Sequence, residues 1–300
     1  MNIPDDYRCG LVAVIGRPNV GKSTFINAVM GRKVSIVTAK PQTTRHRILA
    51  VDTGEKRQII FVDTPGLHRK SAKAMNRMMN RTAANALADA DLILFVTDAT
   101  RWTEEDDDVL NRLKSCKAPV IALLNKTDKV HPKEKLLDSL AAMSARLAFK
   151  EIVPISAMKK DNLDTLLDMI PAYLPESPPL FPEDMHTDRS EEFHITEIIR
   201  EKLTLMLHQE MPYGLTVQIE KMVREKRGVT INAVIWVERD SQKGIAVGKN
   251  GGVLKKVGRS ARLEIAEQLG QPVHLELWVK VKTNWADNET DLMKLGYEGP

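Results

Sequence analysis

Uninterrupted runs of valine, isoleucine and leucine recur through the first half of the chain, separated by stretches with helical spacing. "LVAVIG" (11–16) precedes "GKSTFINAVMG" (21–31), and "RQIIFVD" (57–63), "LILFVTD" (92–98), "PVIALLN" (119–125) and "EIVPIS" (151–156) follow. Amphipathic stretches at 104–115 and 133–148 fall between the later runs. Strands that are apolar along their whole length are buried on both faces, which predicts an α/β domain with a mostly parallel sheet covered by helices. Ligands of such sheets gather at the carboxyl ends of the strands.

The pattern breaks at "LPESPPLFPEDMHTDRSEEF" (174–193), which is rich in proline and acids and has no period, as an extended linker would be. After it, "ITEIIREKLTLMLHQ" (195–209) has helical spacing, while "YGLTVQIEKMVRE" and "GVTINAVIWVER" have the composition of strands. "GGVLKKVGRSARLEIAEQLG" follows as a helix, and "PVHLELWVKVK" (272–282) alternates as a last strand. The predicted organisation is a first domain over 1–175, a linker over 176–192 and an α+β domain with its tail over 193–300. Its order, α-β-β-α-(α)-β, is that of a type II K-homology domain.

Composition narrows the class. A hydrophobic fraction of 43% and a charged fraction of 28% are those of a soluble globular chain. No apolar run approaches the roughly 20 residues a membrane span needs. The start, "MNIPDDYRCG", is acidic where a signal peptide is basic. Cys9 and Cys116 form no framework and are expected as free thiols in a reducing cytosol, and the seven scattered histidines predict no zinc site.

The chemistry sits at predicted strand ends. "GRPNVGKS" (Gly16–Ser23) fits the phosphate-loop pattern G-x-x-x-x-G-K-[ST] between a strand and a helix. Gly16, Arg17, Pro18, Asn19, Val20, Gly21 and Thr24 are expected around the nucleotide, with Lys22 on its β- and γ-phosphates and Ser23 on Mg²⁺. "NKTD" (Asn125, Lys126, Thr127, Asp128) selects the base, because the Asp128 carboxylate can accept from both N1–H and the exocyclic amine of guanine. Adenine would leave that carboxylate unpaired. Asn125 is expected to brace the loops, and "SAM" brings Ser156 and the Ala157 N–H towards guanine O6. "DTPG" supplies Asp63, Thr64, Pro65 and Gly66, with Asp63 on Mg²⁺ through a water and the Gly66 N–H at the γ-phosphate. The loop-like "KPQTTRHR" offers Thr43 and Thr44, either of which could complete the Mg²⁺ shell; Thr44 is the one assigned. These two segments are the expected switches. Leu67 stands where many small GTPases carry a glutamine, so water positioning must come from elsewhere. His68 is one candidate; Asn19, helping to hold a K⁺ ion against the phosphates, is another.

In the second domain "GKNG" (Gly248, Lys249, Asn250, Gly251) stands just before the long helix that carries Lys255 and Lys256. A G-x-x-G turn in that place clamps the backbone of single-stranded RNA. From 241 to 282 eight basic residues face three acids, a net of +5 where the whole chain has +4. Charge and placement agree on RNA phosphate.

Together, "GRPNVGKST", "QTTRHR", "VDTPGLH", "NKTD", "VPISA", "EIIREKL" and "VHLELWVKVK" resemble the Era GTPases, from about residue 8 to the end. That family also lacks the glutamine. Leu67 leads to the expectation of slow turnover, and the resemblance implies GTP hydrolysis, binding to 16S ribosomal RNA near its 3′ end, a role in small-subunit assembly and peripheral membrane association. A monomer is expected. The alternative is an RNA-binding assembly factor in which GTP is a structural ligand and turnover is incidental.

Overall fold

The computed structural model describes residues 4, 6–66, 73–207 and 214–297. The chain forms two compact units, residues 1–71 with 76–188, and residues 72–75 with 189–300. In the first, β1 (Arg8–Ile15), β2 (Ile48–Gly54), β3 (Arg57–Asp63), β4 (Leu92–Asp98), β5 (Val120–Asn125) and β6 (Glu151–Pro154) form one sheet in the order β2-β3-β1-β4-β5-β6. All pairings are parallel except β2 with β3. Helices α1 (Lys22–Met30), α2 (Ala74–Ala88), α3 (Glu104–Leu113), α4 (Lys135–Ser144) and α5 (Leu163–Met169) complete the unit.

Burial on both faces explains the continuous apolar runs. Ala13, Ile15 and Phe95 pack with Ala83 of α2 and with Val109, Leu110 and Leu113 of α3. Phe61 of β3 meets Phe25 of α1 edge-on, with ring centroids 5.9 Å apart. Two elements are absent from the apolar pattern. The edge strand β2 ends in Asp52, Thr53 and Gly54, so only its first half is apolar. Helix α2 packs through alanine and methionine, Met79, Ala83 and Ala86, rather than through a strong aliphatic stripe.

The proline-rich segment is extended, and it is bound along its length. The Cys9 N–H donates to Pro175 O (3.2 Å), Ser177 N–H to Tyr7 O (3.1 Å) and Val51 N–H to His186 O (3.0 Å). The Asp188 carboxylate accepts from the Leu49 N–H at 2.9 Å. Gln58, with no exposed surface, is the main clasp. Its Oε1 accepts from Leu180 N–H (2.8 Å) and Phe181 N–H (2.9 Å), and its Nε2 donates to Phe181 O (2.8 Å). Residues 175–188 are thus a strap on the first unit. Gln58→Leu would leave those backbone groups without partners, at about 1–3 kcal/mol for each buried group. Because these three bonds are only part-buried, we expect a loss of about 2–5 kcal/mol in denaturant unfolding of the first unit, below the fully buried sum, and protease cleavage near Leu180. Unchanged unfolding would mean that the clasp is idle.

In the second unit α6 (Glu191–Met206), β7 (Leu215–Glu225), β8 (Gly228–Val237), α7 (Asp240–Val247), α8 (Gly252–Leu269), β9 (Val273–Val281) and α9 (Glu289–Lys294) follow in order. The sheet runs β7-β8-β9, with β7 antiparallel and β9 parallel to β8. Ser190 caps α6 by accepting from Phe193 N–H at 3.2 Å. Ile195, Ile199 and Leu203 of α6 join Val257, Ala261 and Ile265 of α8 over Ile231, Ala233 and Ile235 of β8. The tail docks on this unit: the Tyr297 hydroxyl lies 3.3 Å from Thr216 Oγ1, and Lys282 pairs with Asp291 at 2.8 Å.

Candidate functional site

The carboxyl ends of β1, β3, β4 and β5 carry the loops predicted to hold nucleotide. Helix α1 begins after Gly21 with no side-chain cap, so its first N–H groups face the loop. Such groups are ready donors for phosphate oxygens. Lys22 is buried, and its Nζ donates to Gly16 O (2.9 Å) and Arg17 O (3.0 Å). Burial lowers its pKa to about 8, against the pull of Asp63. A cleft of about 380 Å³ opens here, lined by Asn19, Gly21, Lys22, Ser23, Thr24 and Thr44 among others.

Three oxygen donors converge behind Lys22. Ser23 Oγ lies 2.9 Å from Thr44 Oγ1 and donates to Asp63 Oδ2 at 3.0 Å. Thr43 is engaged elsewhere, 2.6 Å from Thr38 Oγ1 and 2.6 Å from Lys40 O. The geometry therefore separates the two threonines, and Thr44 is the one that joins Ser23 and Asp63. Asp63 is fully buried, and burial pushes its carboxyl above the usual range, against hydroxyl hydrogen bonds and the Lys22 charge. Among the described residues its Oδ1 makes no hydrogen bond of normal geometry, and the Ser35 hydroxyl acts on the carboxyl besides Ser23 and Thr44. A buried carboxylate oxygen so placed, beside two hydroxyls, is a hard oxygen set of the kind Mg²⁺ takes. Gly66 lies against the phosphate loop, where a Cβ would stand 3.0 Å from Pro18 Cγ and 3.1 Å from Pro18 N. Thr64 holds the same region by donating to Val14 O at 3.0 Å. Leu67 and His68 lie outside the described residues.

Asn125 ties three loops together. Its Nδ2 donates to Val20 O (2.8 Å), and its Oδ1 accepts from Lys126 N–H (2.8 Å) and Ala157 N–H (3.0 Å). The Ala157 N–H expected near guanine O6 is thus brought to the Asn125 carbonyl. Ser156 Oγ donates to Asp128 Oδ1 at 2.6 Å, which fixes the carboxylate. Lys126 Nζ donates to Asn19 O (2.7 Å) and Asp98 Oδ2 (2.8 Å). Burial pushes the Asp98 carboxyl up, but hydrogen bonds from Lys126 and Thr100 outweigh it and hold the carboxyl below its usual range. Asn19 Nδ2 donates to Ala39 O at 2.8 Å, so its amide joins the phosphate loop to the start of the segment that carries Thr43 and Thr44.

Two supporting carboxylates were not singled out from the pattern. One is Asp98, at the carboxyl end of β4, a position that is itself a signal in a parallel sheet. The other is Asp106 in the first turn of α3, which accepts from buried Arg17 Nε at 2.9 Å and from Thr103 N–H at 2.9 Å. Arg17 thereby anchors the phosphate loop from below.

In the second unit Gly248 (φ 72°), Asn250 (φ 52°) and Gly251 (φ 73°) all have positive φ, and the last two are left-handed. A Cβ on Gly248 would lie 2.5 Å from Val253 Cγ2, so this position excludes other residues by space as well. At Gly251 a Cβ would meet, among the described residues, only Lys255 Cε, at 3.9 Å. The turn therefore presents bare backbone beside a lysine stem at the start of α8. Lys249, Lys255 and Lys256 are exposed, and among the described residues none is in an ion pair. Lys280 and Lys282 are already paired, with Glu220 (2.5 Å) and Asp291 (2.8 Å).

The fold and both loops define a P-loop GTPase joined to a K-homology domain. A family model described as a 50S ribosome-binding GTPase matches residues 11–126, and a KH-domain model matches residues 210–286. A variant of Era from Aquifex aeolicus, solved with GDP·AlF4⁻, is 40% identical with a TM-score of 0.93 over 97% of this chain and 100% of its own. Era in complex with MgGDPNP and nucleotides 1506–1542 of 16S ribosomal RNA is also 40% identical, with a TM-score of 0.94 over 98% of this chain and 100% of its own. The chain belongs to the Era family of GTPases.

Proposed function

We propose that this protein is a GTP-hydrolysing switch that binds 16S ribosomal RNA near its 3′ end and acts in assembly of the small ribosomal subunit. The observation that carries the switch is the meeting of Ser23, Thr44 and Asp63, because it brings a threonine of a loop to the oxygens that a nucleotide-bound metal would use. Ser23 and Thr44 would hold Mg²⁺ directly and Asp63 through a water; when bound, the ion neutralises charge on the β- and γ-phosphates. Lys22 and the N–H groups of α1 bind the phosphates, Gly66 offers its N–H to the γ-phosphate, and Asp128 reads the base. Loss of the γ-phosphate frees Thr44 and Gly66, and with them both switches. In the second unit the Gly248–Gly251 turn and Lys255 and Lys256 grip the RNA backbone.

Among the described residues no helix is long and apolar enough to cross a membrane. We place the protein in the cytoplasm as a monomer, with a peripheral contact on the cytoplasmic face of the membrane.

Multiple-turnover hydrolysis, with and without the RNA segment 1506–1542, tests the reading. Turnover that RNA accelerates supports it. Turnover too slow to matter and indifferent to RNA favours a structural role for GTP. Hydrolysis is also expected to be faster in K⁺ than in Na⁺, a difference lost in Asn19→Ala. Equal rates in both salts would remove the cation from the mechanism.

A further inference from the structure

A cavity of about 1010 Å³ lies beside the strap on the first unit, and no residue of the nucleotide loops lines it. Its floor is aromatic and prolyl, made by Tyr7, Phe181 and Pro179, and its rim carries Glu55, Glu183 and Asp184. Tyr7 is only 6% exposed, and its hydroxyl donates to Gly54 O at 3.4 Å. Phe181 is fixed on its backbone by Gln58 through bonds of 2.9 Å and 2.8 Å. These contacts hold the Tyr7 hydroxyl and the Phe181 backbone at the floor.

The rim is exposed, and among the described residues none of its three carboxylates is in an ion pair. The neighbouring Asp6 differs, since Lys56 pairs with it at 2.9 Å. No lysine or arginine is among the described residues that line the cavity. A chain with a net charge of +4 thus carries a local excess of negative charge around an apolar cleft, offset in part by Lys56 beside Glu55. RNA phosphates and anionic lipid headgroups are repelled by such a rim. Long cationic side chains suit it, because their aliphatic stems cover apolar surface while their heads reach carboxylates. An arginine head can also stack on an aromatic face. The volume is at the upper end of ordinary ligand pockets, roughly 300–1,000 Å³, and admits several residues of an extended peptide.

We propose that this cleft docks an extended, arginine- or lysine-bearing segment of a partner protein, with its stems on Tyr7 and Phe181 and its charges on Glu55, Glu183 and Asp184. The protein would then have two docking surfaces of opposite sign, one for RNA phosphate and one for a basic protein segment.

The test uses the full chain and a fluorescein-labelled octapeptide alternating arginine and leucine, at about 0.15 M salt, where long-range attraction is screened beyond about 8 Å. Anisotropy should report saturable binding that weakens at least about tenfold in the double variant E183K/D184K. The glutamate–leucine counterpart should not bind the parent protein. Both substituted residues are exposed and outside the nucleotide and RNA loops, so GTP hydrolysis should match the parent. With fluorotyrosine incorporated, the resonance of Tyr7, assigned by Tyr7→Phe, should move on adding the arginine peptide. Equal peptide binding by parent and variant, or a Tyr7 resonance that does not move, would overturn the proposal. Binding of a single-stranded RNA of similar length that the double variant abolishes would make this an RNA surface and overturn it too.

Discussion

Asp128→Asn should lower GTP affinity by about a hundredfold or more and raise affinity for xanthosine triphosphate. The carboxylate accepts from Ser156 Oγ at 2.6 Å, and an amide oxygen can keep that bond, so the loop should survive the substitution. What changes is the face offered to the base. Guanine presents two donors, N1–H and the exocyclic amine; the amide nitrogen would point a third donor at them. Xanthine carries a carbonyl at C2, which accepts from that nitrogen. Competition binding measures both nucleotides in one experiment. A loss of GTP affinity within about threefold, or roughly 0.7 kcal/mol, would mean that Asp128 does not read the base.

Replacing Lys249 and Asn250 together by aspartate should cost about 2–4 kcal/mol of RNA affinity, through like-charge repulsion and lost contacts. The backbone should tolerate the change. Gly248 and Gly251 remain, and aspartate shares asparagine's tolerance of the left-handed conformation found at residue 250. GTP binding and unstimulated hydrolysis should stay at parental values, because the nucleotide loops belong to the other unit. RNA binding by the parent should weaken with salt at a log–log slope near −0.7 per phosphate contact, and Lys255→Ala or Lys256→Ala should each flatten it by about one contact. Parental RNA affinity in the aspartate variant would place the RNA site elsewhere.

The parts of this architecture that depend on one short segment were legible in the sequence. The phosphate loop needs its glycines, lysine and serine within one turn, and the G-x-x-G turn needs two left-handed positions before a helix. Both appear as local patterns, and both stand where the strand and helix pattern put them. The parts that depend on distant pairings were not legible. Strand β2 is a strand because β3 pairs with it antiparallel, from Ile48 opposite Asp63 to Gly54 opposite Arg57. The proline-rich stretch has a linker's composition, yet it is held because Gln58, more than 100 positions earlier, matches its backbone groups. That Thr44 rather than Thr43 meets Ser23 and Asp63 depends on where β3 places Asp63, since the two threonines are chemically identical neighbours. Arg17 with Asp106, and Lys126 with Asp98, are again long-range pairs: Arg17 and Lys126 stand inside recognisable motifs, but nothing local says which carboxylate each will meet.

The nucleotide held by the first unit is expected to set the state in which the second unit meets RNA. The most direct measurement is the affinity of the full protein for the RNA segment 1506–1542, taken once with GDPNP and Mg²⁺ and once with GDP. Coupling between sites is worth about 1–3 kcal/mol, so RNA should bind about fivefold or more tightly in the GDPNP state. By linkage, RNA should tighten GDPNP binding relative to GDP by the same factor. Equal RNA affinity in the two nucleotide states would contradict the account.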